Sequence, residues 1–123
     1  MVGYVTFGTN DFERAVTFYD AVLAEVGLKR LWTHGGMAAW GRDRASVALC
    51  VTAPYDGEPA TVGNGVMVAL RMTSREDVDK VHAMACRLGG VDEGAPGPRG
   101  EHGFYGGYFR DRDGNKLNAY LPA

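Results

Sequence analysis

The sequence predicts an α+β domain made of two tandem βαβββ modules, whose strands form a curved mixed sheet cup with the helices on the outside. Three observations predict it. The chain repeats itself, each repeat opens with an alternating strand followed by an amphipathic helix, and glycine-rich turns divide the remainder into short strands. Sliding the chain so that Tyr4 lies on Met67 sets Tyr4-Val5-Thr6-Phe7 on Met67-Val68-Ala69-Leu70, Glu13 on Glu76 and Gly27 on Gly90 without a gap. The ends match as well: Gly41 to Arg44 falls on Phe109 to Arg112 once the second copy is lengthened by five residues. Module one therefore covers about 1–53, a linker about 54–65 and module two about 66–123, within a single domain 1–123.

Each element has a local reason. In the opening strands Val5 and Phe7 share one face and Tyr4 and Thr6 the other, and Val68 and Leu70 oppose Met67 and Ala69 in the same way. Asn10 with Glu13 reads as a capping box, and Ser74 with Asp77 as a looser version of it. Phe12, Ala15, Val16, Tyr19, Val22, Leu23 and Val26 recur at helical spacing, as do Val78, Val81, Ala85 and Leu88. Gly27 and Gly89 stand where a helix-terminating glycine belongs. Gly35-Gly36 splits Lys29–His34 from Met37–Trp40, a hairpin signal, and short apolar strands close the modules at Val47–Val51 and Lys116–Tyr120. Pro54, Asp56-Gly57 and Pro59 make the linker turn-rich, and Asp111-Arg112-Asp113-Gly114-Asn115 reads as a hairpin turn. The five extra residues of module two fall between Gly90 and Phe109.

Composition narrows the function classes. Thirteen basic and fifteen acidic residues give a formal charge of −2 with no basic cluster, which argues against nucleic-acid or anionic-lipid partners. No secretory signal and no apolar run of spanning length is visible, so no membrane association is expected. Cys50 and Cys86, far apart and outside any CxxC pattern, read as buried reduced thiols of a cytoplasmic protein. A short sheet with one helix covers a single face. Two modules side by side then leave a cup whose floor would carry Tyr4, Cys50, Met67 and Asn118, with Thr6 beside Tyr4.

Gly3 to Ala15 followed by Phe18-Tyr19, together with Asp111 to Asn118, resembles the opening and closing segments of the vicinal oxygen chelate superfamily, also called the glyoxalase/bleomycin-resistance/dioxygenase superfamily. The resemblance spans essentially the whole chain. It implies a small-molecule site, a homodimer and, in the enzymes, a divalent metal on the cup floor held by His from first strands and Glu from last strands. The matching positions here are Tyr4, Met67 and Asn118, with Cys50 or a neighbour as the fourth. None is a carboxylate or imidazole, so the sequence predicts no metal ligands and no cofactor.

Cys50 and Met67 could hold a soft metal but read better as apolar lining. His82 is expected to face solvent, and His34 to sit at a turn. His102 beside Glu101 and the phenol of Tyr4 are the weak catalytic candidates. Phe104 and Tyr105, between glycines, have the composition of a lid over an apolar ligand. Trp32 and Trp40 could each face the cup. The expected function is metal-free binding of an apolar or aromatic ligand through Tyr4, Thr6, Cys50, Met67, Asn118, Phe104 and Tyr105. The alternative is a lyase, isomerase or dioxygenase acting on a small metabolite, with a divalent metal in that case.

Overall fold

Eight strands and two helices alternate in the order the repeat predicts: β1 (Val5–Gly8), α1 (Phe12–Ala24), β2 (Lys29–His34), β3 (Met37–Gly41), β4 (Val47–Thr52), β5 (Val68–Arg71), α2 (Arg75–Arg87), β6 (Val91–Arg99), β7 (Phe104–Arg110) and β8 (Lys116–Leu121). The structure is a computed structural model describing residues 1–123. The strands form two open four-stranded sheets, ordered β1-β4-β3-β2 and β5-β8-β7-β6. In each, the first strand runs parallel to the last and the other pairs are antiparallel. No ladder joins the sheets, so β1 and β5 are both edge strands.

The helices form where the pattern places them, with one shift in the capping. Asp11, not Asn10, caps α1, its carboxylate accepting from the Arg14 amide at 3.1 Å. Asn10 is engaged elsewhere: its side chain exchanges two hydrogen bonds with the backbone of Ala60 and ties the linker to module one. Ser74 caps α2 as expected, accepting from Asp77. Gly27 and Gly89 take φ of 77° and 94° just past the helix ends, a left-handed conformation that side-chain-bearing residues avoid.

One core serves both modules. Helix α1 packs under β2, β3 and β4, helix α2 under β6, β7 and β8, and the two helices pack against each other. Phe7, Phe18, Tyr19, Trp40, Leu49 and Val51 from module one and Val78, Val81, Phe109 and Leu117 from module two join one buried cluster. Burying a side chain of this size contributes roughly 1.5–3 kcal/mol. Trp40 points into this cluster and donates its Nε1–H to Asp20 at 2.9 Å. Trp32, paired with Ala39, lies on the opposite face.

The Asp111–Asn115 turn fastens the modules together. Asp111 is buried, and its carboxylate accepts from the Tyr19 hydroxyl at 2.6 Å, from the amides of Asp113 and Asn115, and from the Asn115 side chain. Asp113 accepts from the Thr9 hydroxyl and the Asn10 amide, while Asn115 donates to the Gly8 carbonyl. The opening and closing segments that carry the family resemblance therefore bind each other. Their chemistry is structural: a desolvated carboxylate stays buried because four donors meet it.

Two further expectations fail within the fold. His82 faces inward: it is 7% exposed, with Nε2 3.0 Å from an Asp92 carboxylate oxygen and 3.2 Å from the Tyr108 carbonyl. The side of α2 that carries it is covered by β6 and β7, whose position the helical period could not reveal. The expected lid is a strand. The extra residues lengthen the β6–β7 hairpin, which absorbs them in register shifts near Gly94 and Gly97 and in the Gly100–Gly103 turn. Phe104 and Tyr105 are both paired within β7, so their backbone is held by ladder hydrogen bonds. His102, in the turn itself, is exposed.

Candidate functional site

Each sheet turns one face to its helix and leaves the other open. On the open face of sheet one, Thr6, Cys50, Ala39 and Trp32 lie side by side across four strands. On the open face of sheet two, Ala69, Asn118 and Tyr108 do the same. The predicted floor thus shifts by two residues at its edges: Thr6, not Tyr4, neighbours Cys50, and Ala69, not Met67, neighbours Asn118. The reason is that Tyr4 and Met67 precede the strands and stay largely exposed.

Asn118 is the most informative of these residues. It is 2% exposed, yet its Oδ1 is buried without a hydrogen-bond partner. A buried acceptor left without a donor costs roughly 1–3 kcal/mol. Aromatic rings surround it on the same face. Phe104 and Tyr120 stack with centroids 5.5 Å apart and an interplanar angle of 12°. The Tyr108 ring lies 5.5 Å from the Arg99 guanidinium and 5.9 Å from the Lys116 ammonium. Sequence reading named Phe104 and Asn118 but missed Tyr108, Tyr120, Lys116 and Arg99. Strict alternation from Asn118 along Lys116–Tyr120 could have found two of them.

Other candidates separate from this group. Tyr105 faces α2, donating its hydroxyl to Asp79 at 2.7 Å, an interaction that pushes its phenol pKa up, while Arg75 lies over its ring. Cys50 is buried, and burial pushes its thiol up as well. Tyr4 and Ala69 line a cavity of about 370 Å³ beside β1 and β5. Thr6 lines a second cleft of about 350 Å³ with Val66, Asn115 and Lys116. Residues Val5 and Val68 border both openings, which places the two along one seam between the edge strands.

A metal fits poorly here. The four open-face positions next to the seam offer a hydroxyl, a thiol, a methyl and an amide, with no carboxylate or imidazole among them. Nowhere do three His, Cys, Asp or Glu side chains gather in a geometry that could hold a metal ion. His82 brings together Asp92 and Cys86, but on opposite ring nitrogens, with the Cys86 Sγ 3.9 Å from Nδ1. Burial and then the Asp92 charge raise the Cys86 thiol, the direction that silences a nucleophile.

Comparison with known proteins adds the lineage. Residues 2–119 match the family model described as Glyoxalase/Bleomycin resistance protein/Dioxygenase superfamily. No curated protein matches the chain by sequence. Among solved structures, a glyoxalase/bleomycin resistance protein from Albidiferax ferrireducens is 35% identical, with 100% of this chain and 99% of that one covered and a TM-score of 0.90. A family enzyme from Burkholderia phytofirmans is 18% identical, covering 97% and 96%, with a TM-score of 0.74. The fosfomycin resistance protein FosX from Listeria monocytogenes is 14% identical, covering 100% and 93%, with a TM-score of 0.72. At those last two identities the likeness is one of fold alone.

Proposed function

The chain belongs to the glyoxalase/bleomycin resistance protein/dioxygenase superfamily, and on that premise we propose that it is a small-molecule-binding member that takes an apolar or aromatic ligand without a metal. The ligand lies on the open face of sheet two. The observation that carries this reading is Asn118, a buried acceptor without a donor set among Phe104, Tyr108 and Tyr120. Folding alone gives no reason to keep an amide there. A ligand N–H or O–H would satisfy it while the rings cover the ligand's apolar part. The open-face donor set next to the seam supports the metal-free part of the proposal.

The functional unit is a homodimer of cytoplasmic location. Val62, Val66 and Met67 are 45%, 62% and 42% exposed just before β5, a small apolar patch suited to a second copy. Two free thiols fit a reducing compartment. No helix is long and apolar enough to cross a membrane.

Benzamide, an aromatic ring with an amide donor, is a direct probe. Titrated into labelled protein, it is expected to shift the Asn118 side-chain amide and the backbone amides of Tyr108 and Tyr120, and to lose that effect in Tyr108→Ala. Shifts confined to other parts of the fold, or none at millimolar probe, would refute the site.

A further inference from the structure

The cavity at the seam differs in character from the open face. It lies at the end of the seam where β1 begins and β5 ends, reaching toward the end of α1 and the start of α2, and 11 of its 16 lining residues are hydrophobic. Leu23, Val26 and Leu28, at and just after the end of α1, and Leu70 and Met72, at the end of β5, supply much of the apolar lining. Two guanidinium-bearing residues, Arg42 and Arg71, also line it, and neither takes part in an ion pair or side-chain hydrogen bond. The one acidic lining residue, Asp77, already accepts from the Thr73 hydroxyl at 3.0 Å. An apolar hollow with two uncompensated cations in its lining calls for an apolar body that ends in an anion.

We propose that this cavity is a second binding site, one for an amphipathic monocarboxylate of about a dozen non-hydrogen atoms. The size follows from about 370 Å³ of space at roughly 30 Å³ per water-sized group. The carboxylate engages Arg42 and Arg71, whose planar forks match its two oxygens, and the chain lies against Leu23, Val26 and Met72. Asp77, the one acidic lining residue, disfavours the carboxylate at its own position. Occupancy would also bridge the two modules, since residues of both line the hollow.

Octanoate and 1-octanol, matched in chain length, test this by chemical-shift titration at low salt. Octanoate is expected to shift the amides of Val5, Leu70 and Thr73 saturably and to bind about 10-fold tighter than octanol, the advantage of a charge-assisted contact. R42Q/R71Q is expected to erase that preference while leaving octanol affinity and Tm unchanged. Ala48→Trp, which adds bulk to the cavity at an exposed lining position, is expected to abolish both titrations. Asn118→Leu, altered on the other site, is expected to leave octanoate affinity unchanged, so the two proposals fail separately. Equal affinity for acid and alcohol, shifts centred on Asn118, or no saturable binding would each overturn the assignment. So would a dimer in sedimentation that Ala48→Trp dissociates, since the cavity would then be covered by a second copy.

Discussion

Replacing Asn118 by leucine should make the protein more stable and deprive it of its ligand. The two side chains are nearly the same shape, and the position is 2% exposed. The substitution removes a buried acceptor that has no donor. Relief of that penalty is about 1–2 kcal/mol, the lower part of the range for an unsatisfied buried group, because some local repacking offsets it. For a chain of 123 residues, that corresponds to a rise in Tm of roughly 3–8 °C. Calorimetry at pH 7 and urea unfolding should agree on the sign, with an unchanged urea slope showing that the denatured state is not the cause. In the same variant, benzamide affinity should fall about 5- to 100-fold, the loss of one hydrogen bond to a desolvated amide. A variant that is less stable by 1 kcal/mol or more would refute the reasoning, because it would show that the amide is already paired in the free protein. A variant that gains stability and keeps its affinity would separate the penalty from any role in binding.

Further expectations concern the rest of the molecule. Tyr19→Phe removes one of four donors from buried Asp111 and should cost about 1.5–3 kcal/mol in equilibrium unfolding. Burial, then the charge of Asp111, raises the Tyr19 phenol well above its ordinary value of 10.0. The folded state therefore holds that proton more tightly, so this contribution is intact below pH 10 and is lost as pH rises beyond it. The alkaline loss of stability should be shallower in Tyr19→Phe than in the parent. Gly107→Ala sets a methyl 3.0 Å from Pro96 and 3.2 Å from the His82 ring, and should destabilise by about 1–3 kcal/mol in thermal unfolding. Millimolar Mg²⁺, Mn²⁺, Ni²⁺ or Zn²⁺ should leave Tm unchanged, and so should EDTA. A stoichiometric ion that raises Tm by several degrees would show a donor set different from Thr6, Cys50, Ala69 and Asn118.

The amino-acid order by itself determined the local architecture. The repeat, the strand alternation, the helical stripes, the Ser74 cap and the Gly27 and Gly89 stops are legible because each depends on residues a few positions apart. So was the Asp111–Asn115 turn, though not its purpose. What only the tertiary structure decided involves partners distant in the chain. Tyr19 meets Asp111 across the modules, and β6 and β7 cover the side of α2 that carries His82. Trp40 on β3 and Trp32 on β2 part to opposite faces, and a register shift on β2 between Arg30 and Trp32 sets Arg30 beside Trp40 and Trp32 beside Ala39. Phe104 and Tyr105 looked like a mobile pair because glycines flank them, but ladder hydrogen bonds hold both. The same holds for the site. Asn118 was recognisable as a position, whereas its missing donor and its aromatic neighbours are properties of the packed sheet, since hydrogen-bond satisfaction is settled only when every nearby group has taken its place.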